Sequence, residues 1–308
     1  MSHLPIRVNT LRGDQKIDFD VYIKIADKMI LYVRKGDSFE GPRLARLKEK
    51  KLKKMFIMPE EESLYRSYVQ RNISMAYDDK SGKDIQTRTE IIHGQQQSNV
   101  DEVFENPETV EAYQTAKDGA SKYVQFLMNN DAALHSVFNL ENTDRSLSHH
   151  GVNVATLSIG LAKRLKIEDP KVIQMMSLGA LLHDFGHQES SWDRSKPISQ
   201  LTPEELEIYK QHPDLGSARV QDKKHFDQMV INIIAQHEEC IDGSGFPRGL
   251  KENEMDSSVI IVSTSNAFDR YVAFEGLTRA EAGKRMMLER VGRHPLNQIK
   301  FLIELSKG

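Results

Sequence analysis

Cysteine is almost missing from this chain: Cys240 stands alone among 308 residues. A single cysteine excludes an internal disulfide and suits a reducing compartment, and the residue reads as a small buried hydrophobe rather than a ligand. Long apolar runs are missing as well. No stretch of about 18 apolar residues occurs, so no bilayer-spanning helix and no membrane insertion are expected. The N-terminus, MSHLPIRVNTLRGDQ, lacks the basic-then-apolar order of a signal peptide, and a cytoplasmic location is the expectation. A large charge of one sign is absent too: the formal net charge of -3 provides no global pull toward a nucleic acid polymer or an anionic membrane. What is present is ordinary for a globular protein, with 39% hydrophobic and 28% charged residues, and the length suggests about two domains.

The first 77 residues mix strand and helix signals. Ile17 to Ile25 alternates, placing Ile17, Phe19, Val21, Ile23 and Ile25 on one side as a half-buried strand would. Met29 to Val33 is a second apolar run, and the Asp27-Lys28 step between them suits a tight hairpin. Gly41-Pro42 then opens a basic stretch, Arg43 to Lys54, whose Leu44, Leu47 and Leu52 fall at loose helical spacing. No aromatic residues interleave with those charges, which favours a solvated helix face over a phosphate-binding strip. Phe56-Ile57 reads as another short strand, followed by a helix from Pro59 to about Tyr77. From Asp78 to Asn106 the composition turns polar and reads as a loop or linker with a short helix near Ile85 to Ile92. Expected is a mainly α protein: a small α+β regulatory or adaptor domain over 1–90, then a helical metal-binding domain over 91–308.

Beyond Asn106 the signals are helical, and five segments each deliver a ligand-type residue. His150 lies four residues before Val154, on the stripe continued by Leu157, Leu161 and Leu165. Asp169-Pro170 is a helix start, and the helix that follows closes on His183-Asp184, with Gly186 suited to a left-handed stop. Thr202-Pro203-Glu204-Glu205 is a capping box, and its helix is expected to end at His212-Pro213. His237 follows Val230, Ile233 and Ile234 on an apolar face, and Asn266 follows Val262 by four. A lone histidine on such a face is ordinary. Four of them with an adjacent aspartate would be expensive to bury without a shared cation. Mixed imidazole and carboxylate donors suit iron, manganese, zinc or nickel better than calcium.

These residues resemble the HD superfamily of metal-dependent phosphohydrolases, and more narrowly its HD-GYP branch. Leu181-Leu182-His183-Asp184-Phe185-Gly186 is similar to LLHDIG, and His150-Gly151-Val152-Asn153-Val154 to HxxxV. His212-Pro213 with Gly216 is similar to HPxxG. Asp242-Gly243-Ser244-Gly245-Phe246-Pro247, followed by Gly249-Leu250, is similar to DGxGYPxGL. The resemblance runs in order from about residue 140 to 305. It implies an all-helical bundle of about seven helices that hydrolyses cyclic di-GMP, to pGpG or onward to GMP, by a metal-bridging hydroxide. It also implies a centre of iron or manganese ions held by His150, His183, Asp184, His212 and His237, with Asp184 bridging. Gly243, Gly245, Phe246 and Pro247 would form the substrate loop, and the N-terminal domain would link to a signalling partner.

This sequence departs from the pattern at several places. The second histidine of HHExxDGxGYP is Glu238, expected as an oxygen ligand, and the tyrosine is Phe246. The lysine after HDxG is His187, a substitute in catalysis when protonated. The acidic residue of the late DxxDA motif is Asn266, expected to ligate through its amide oxygen. Ser146 stands where three-metal members place a glutamate, so two divalent ions are expected. The basic segment beyond the late motif is replaced near Glu275, leaving Arg279 and Arg285 as candidates. A module that binds cyclic di-GMP or a protein without cutting is the alternative reading.

Overall fold

The computed structural model describes residues 3–50, 52–139, 146–189 and 197–305. Lys51 of the basic stretch and residues 140–145 at the start of the resemblance lie outside them. The chain divides into two compact units, Met1–Ser98 and Asn99–Gly308.

In the first unit, β1 (Leu4–Arg7), β2 (Val21–Ile25), β3 (Lys28–Val33) and β4 (Lys54–Ile57) form an antiparallel sheet in the order β1-β4-β2-β3. β1 escapes a reading by periodicity, because four residues including Pro5 show no alternation. β2 is shorter than the alternation around it. Ile17 and Phe19 are buried, but Asp20 accepts the Lys35 N–H at 2.7 Å and breaks the run, and Ile25 at the far end is exposed. Leu44 and Leu47 of α1 (Gly41–Glu49) and Tyr68 of α2 (Glu62–Tyr77) complete one apolar core with Val21, Met55 and Ile57. The polar stretch after Asp78 is not a linker. It holds α3 (Ile85–Glu105), 21 residues long, within which the division between the units falls. Glutamines favour a helix, and α3 buries Ile91, Ile92, Val100 and Val103 together with His93 and Gln96, so burial is not confined to an apolar stripe.

The second unit is helical: α4 (Val110–Met128), α5 (Asp131–Asn139), α6 (Leu147–Arg164), α7 (Pro170–Leu182), α8 (Pro203–Lys210), α9 (His212–Val220), α10 (Gln228–Gln236), α11 (Ser257–Ala273), α12 (Arg279–Glu289) and α13 (Leu296–Leu305). From Leu147 to Ala162, every residue of α6 but Asn153 is buried, which makes it the central helix, packed on α7 and α11. Local chemistry sets the starts. Ser146 accepts the His149 N–H, Asp169 accepts the Lys171 N–H at 2.8 Å ahead of Pro170, and Thr202 and Glu205 close a capping box on α8. Among the described residues no helix is long and apolar enough to cross a membrane.

Candidate metal centre

Five residues from four elements converge. His150 sits one turn into α6, and His183 and Asp184 open a 3-10 turn, His183–Gln188, directly after α7. His212 is the first residue of α9 and His237 caps α10. Two boundaries differ from the sequence reading. α8 ends at Lys210, and Pro213 begins a new helix at His212 rather than closing the old one. Gly186 is not a left-handed stop: a Cβ there would lie 1.8 Å from the His212 carbonyl oxygen, so it is the close approach of the 3-10 turn to α9 that demands glycine.

All four histidines use Nδ1 the same way. His183 contacts the Ala180 oxygen at 2.7 Å, His212 the Tyr209 oxygen at 2.7 Å and His237 the Ile234 oxygen at 2.9 Å. His150 contacts Asp269 Oδ2 at 2.7 Å. Carbonyl and carboxylate oxygens only accept, so each Nδ1 carries the hydrogen and each Nε2 presents a lone pair. Those lone pairs gather around one carboxylate. Asp184 Oδ1 lies 3.4 Å from Nε2 of His183 and 3.6 Å from those of His212 and His237, while Oδ2 lies 3.7 Å from that of His150.

This arrangement fits a cation and little else. His212 Nε2 and His237 Nε2 stand 2.8 Å apart with no hydrogen to share, and His183 Nε2 is buried without a hydrogen-bond partner. The Asn266 amide nitrogen donates to Glu238 at 3.2 Å, which turns its Oδ1 toward His150 Nε2 at 3.0 Å. The Asp184 separations approach the roughly 3.0–3.4 Å edge between two ligands bound at about 2.1 Å to one ion. Burial pushes His183 down to about 3, so its imidazole is a neutral donor. A donor set of imidazoles and a carboxylate fits divalent transition metals.

His187 is also drawn in, with Nε2 3.7 Å from Asp184 Oδ1 and its ring stacked 3.9 Å from that of His212. Burial pushes it down to about 4, so it is neutral near pH 7 and does not replace a lysine's charge. Glu238 lies within ligand reach of His212 and His237, but it accepts the Tyr209 hydroxyl at 2.7 Å and, through both oxygens, Arg270 Nη1 at 2.7 Å. Ser146 is occupied as the cap of α6.

The Gly243–Pro247 loop is held at the rim. Glu239, fully buried, accepts the backbone N–H groups of Arg248 at 2.7 Å and Leu250 at 3.0 Å. Gly243 has φ +81°, and a Cβ on Gly245 would fall 2.4 Å from the Cys240 backbone nitrogen. The Phe246–Pro247 peptide bond is cis, and the Phe246 ring meets Tyr209 and His212 edge-on at 6.0 and 6.2 Å. Neither expected basic substitute reaches this centre. Arg279 shares a small cavity with Asp269 and Asn153, Arg285 pairs with Glu289, and Glu275 accepts from Ser199. Sequence reasoning missed Asp269, Arg270, Tyr209 and Glu239 as partners. The available signal was the i, i+3, i+4 spacing of Asn266, Asp269 and Arg270, which places all three on one face of α11.

Comparison with known proteins agrees with this geometry. A family model described as HD domain matches residues 127–291. A cyclic di-GMP phosphodiesterase of Pseudomonas aeruginosa is 28% identical over 158 residues, 50% of this chain and 38% of that protein. One of Thermotoga maritima is 34% identical over 163 residues, 52% of this chain and 43% of that protein. The match thus spans about two-fifths of the length of these curated relatives. A solved structure of an HDG"Y"P protein from Bdellovibrio bacteriovorus is 58% identical, with a TM-score of 0.94 over 100% of both chains.

Proposed function

Because the chain belongs to the HD-GYP family of HD domains, we propose that it is a metal-dependent phosphodiesterase for cyclic di-GMP, releasing pGpG or GMP. The observation that carries this reading is the Asp184 carboxylate, with Oδ1 facing His183, His212 and His237 and Oδ2 facing His150. A carboxylate split in this way is suited to bridging two ions. The ligands proposed are His150, His183, Asp184, His212 and His237, with the Asn266 oxygen beside His150. The ions proposed are two irons, with manganese as the alternative. Bound there, such ions would polarise a phosphoryl oxygen and acidify water.

The protein's own groups do the positioning. Asp269 orients His150, the main-chain carbonyls orient the other three imidazoles, and Glu239 holds the Gly243–Pro247 loop beside the centre, where it would meet the nucleotide. Phe246 offers a ring for stacking but no hydroxyl. The N-terminal α+β unit is proposed to regulate the centre by engaging a signalling partner.

The test is metal analysis of anaerobically purified protein, joined to a cyclic di-GMP hydrolysis assay. About two metal equivalents and a linear or mononucleotide product are expected. Protein that holds no iron or manganese sinks the reading. Tight cyclic di-GMP binding without product replaces it with a non-cutting nucleotide-binding module, a role for which the missing Phe246 hydroxyl argues.

A further inference from the structure

Arg270 and Glu238 form a buried ion pair one carboxylate away from the imidazole cluster. Arg270 Nη1 lies 2.7 Å from both Glu238 oxygens, and the guanidinium carbon lies 5.1 Å from the centre of the Tyr209 ring. The same Glu238 lies within ligand reach of His212 and His237. Both members of the pair depart from the pattern, which has histidine at 238 and, in DxxDA, alanine at 270. The two departures answer each other in space.

A buried ion pair is a poor device for stability, since desolvation consumes most of its attraction. This one also leaves the guanidinium half used. Only Nη1 is engaged, while Nε and Nη2 make no hydrogen bond with any described residue and 15% of the side chain is exposed. Those two nitrogens form the edge whose parallel N–H groups match two oxygens of one phosphate. Glu238 holds Nη1 and the Tyr209 ring lies against the guanidinium face, so the donor edge is fixed before a ligand arrives. The other basic candidates are placed elsewhere: Arg279 lies beside Asp269 and Arg285 pairs with Glu289.

We propose that Arg270, braced by Glu238 and Tyr209, is the phosphate-binding residue of this centre, taking the non-bridging oxygens of a phosphodiester through Nε and Nη2. The assignment rests on the phosphodiesterase reading for its substrate class but not for its geometry.

The test is titration calorimetry of the metal-loaded full chain with inorganic phosphate and, separately, with cyclic di-GMP. Wild type, Arg270→Lys and Arg270→Gln are compared, with metal content and melting temperature measured on each. Lysine keeps a cation against Glu238 and so protects the fold, but it gives up the fork. Loss of charge-assisted hydrogen bonds is expected to weaken both ligands about tenfold or more in Arg270→Gln, and by less in Arg270→Lys, with metal content unchanged. Variants that bind phosphate as tightly as wild type overturn the assignment, as does a wild type that binds neither ligand. An Arg270→Lys protein that loses metal makes Arg270 a support of the centre instead, which also overturns it. Phosphate binding that depends on Arg270, without binding of cyclic di-GMP, leaves the assignment standing and removes the substrate reading alone.

Discussion

His212 and His237 meet Nε2 to Nε2 at 2.8 Å, and each has already given its Nδ1 hydrogen to a main-chain carbonyl, that of Tyr209 or of Ile234. Two lone pairs at that distance repel, and the residues around them contribute further acceptors, including Asp184 Oδ1 at 3.6 Å from each. The folded chain therefore carries an electrostatic debt at its centre that a divalent cation removes.

Metal ought then to stabilise the fold by mass action. Ferrous or manganous ion at a hundredfold excess over its dissociation constant should add about 2.7 kcal/mol per site, visible as a rise in melting temperature. Asp184→Ala removes the carboxylate that faces all four ligand imidazoles and should abolish both the rise and the bound metal. The check is calorimetric melting with and without metal, alongside elemental analysis. An Asp184→Ala protein with full metal content and an undiminished rise would show that the carboxylate is not the bridge.

Asp269 acts through His150. Its Oδ2 lies 2.7 Å from Nδ1 on the ring face away from the centre, fixing the tautomer that leaves Nε2 free. Burial would depress the His150 imidazole, and Asp269 is the largest influence holding it up instead, which makes it a better donor to a metal. Asp269→Ala should weaken metal binding about 10–100-fold while the five proposed ligands stay in place. Asp269→Asn, which keeps an acceptor but no charge, should fall between it and wild type. Competition against a chelator of known affinity measures both; equal affinities across the three proteins would assign Asp269 no role in orienting the ligand.

The ligand-bearing helices were legible because strong local punctuation surrounds them. Asp169-Pro170 and Thr202-Pro203 mark helix starts, and the histidines fall on apolar stripes or at helix ends, although His212-Pro213 opens a helix where the sequence suggested a close. The partners of those ligands were not legible, because no local spacing encodes a contact between positions 119 residues apart, as in His150 and Asp269, or 32 apart, as in Glu238 and Arg270. α3 was misread for a different reason: its glutamines and His93 lack an apolar period, yet Gln96 and His93 are buried beside Ile92. Polarity signalled a linker where helix propensity and burial produced a helix.

His294 makes a separate prediction about acid. It is pushed down to about 3 in the folded chain, by burial first and then by Arg290 and Arg293, with Glu238 and Asp242 pulling the other way. In the unfolded chain a histidine titrates near 6.5. Between those values the unfolded state holds a proton that the folded state does not, so stability falls as pH drops below about 6.5 and goes on falling toward 3. For this one group the loss is about 2 kcal/mol at pH 5 relative to neutral pH. His294→Gln should be less stable than wild type at pH 7.5, from lost packing, but should lose less between pH 7.5 and 5. Urea unfolding at both pH values measures the difference, and parallel losses in the two proteins would remove His294 from the acid limb.

Gly186 tests whether the centre depends on main chain packed against main chain. A Cβ there would sit 1.8 Å from the His212 oxygen and 2.7 Å from the Gly216 nitrogen, both backbone atoms that no rotamer change can move. Gly186→Ala must therefore push the 3-10 turn that carries Asp184 away from α9, which carries His212, and widen their 3.6 Å separation. Overpacking of this kind costs about 1–3 kcal/mol, and here it should weaken metal binding in step with the melting temperature. Gly160→Ala on α6 is the matched control. Its Cβ would come no closer than 3.3 Å to the Leu134 side chain, which can give way, so that variant should keep its metal and gain helix propensity. Melting curves and metal titrations on the pair decide the matter: if Gly186→Ala matches Gly160→Ala in both, the 3-10 turn and α9 can separate without disturbing the ligands.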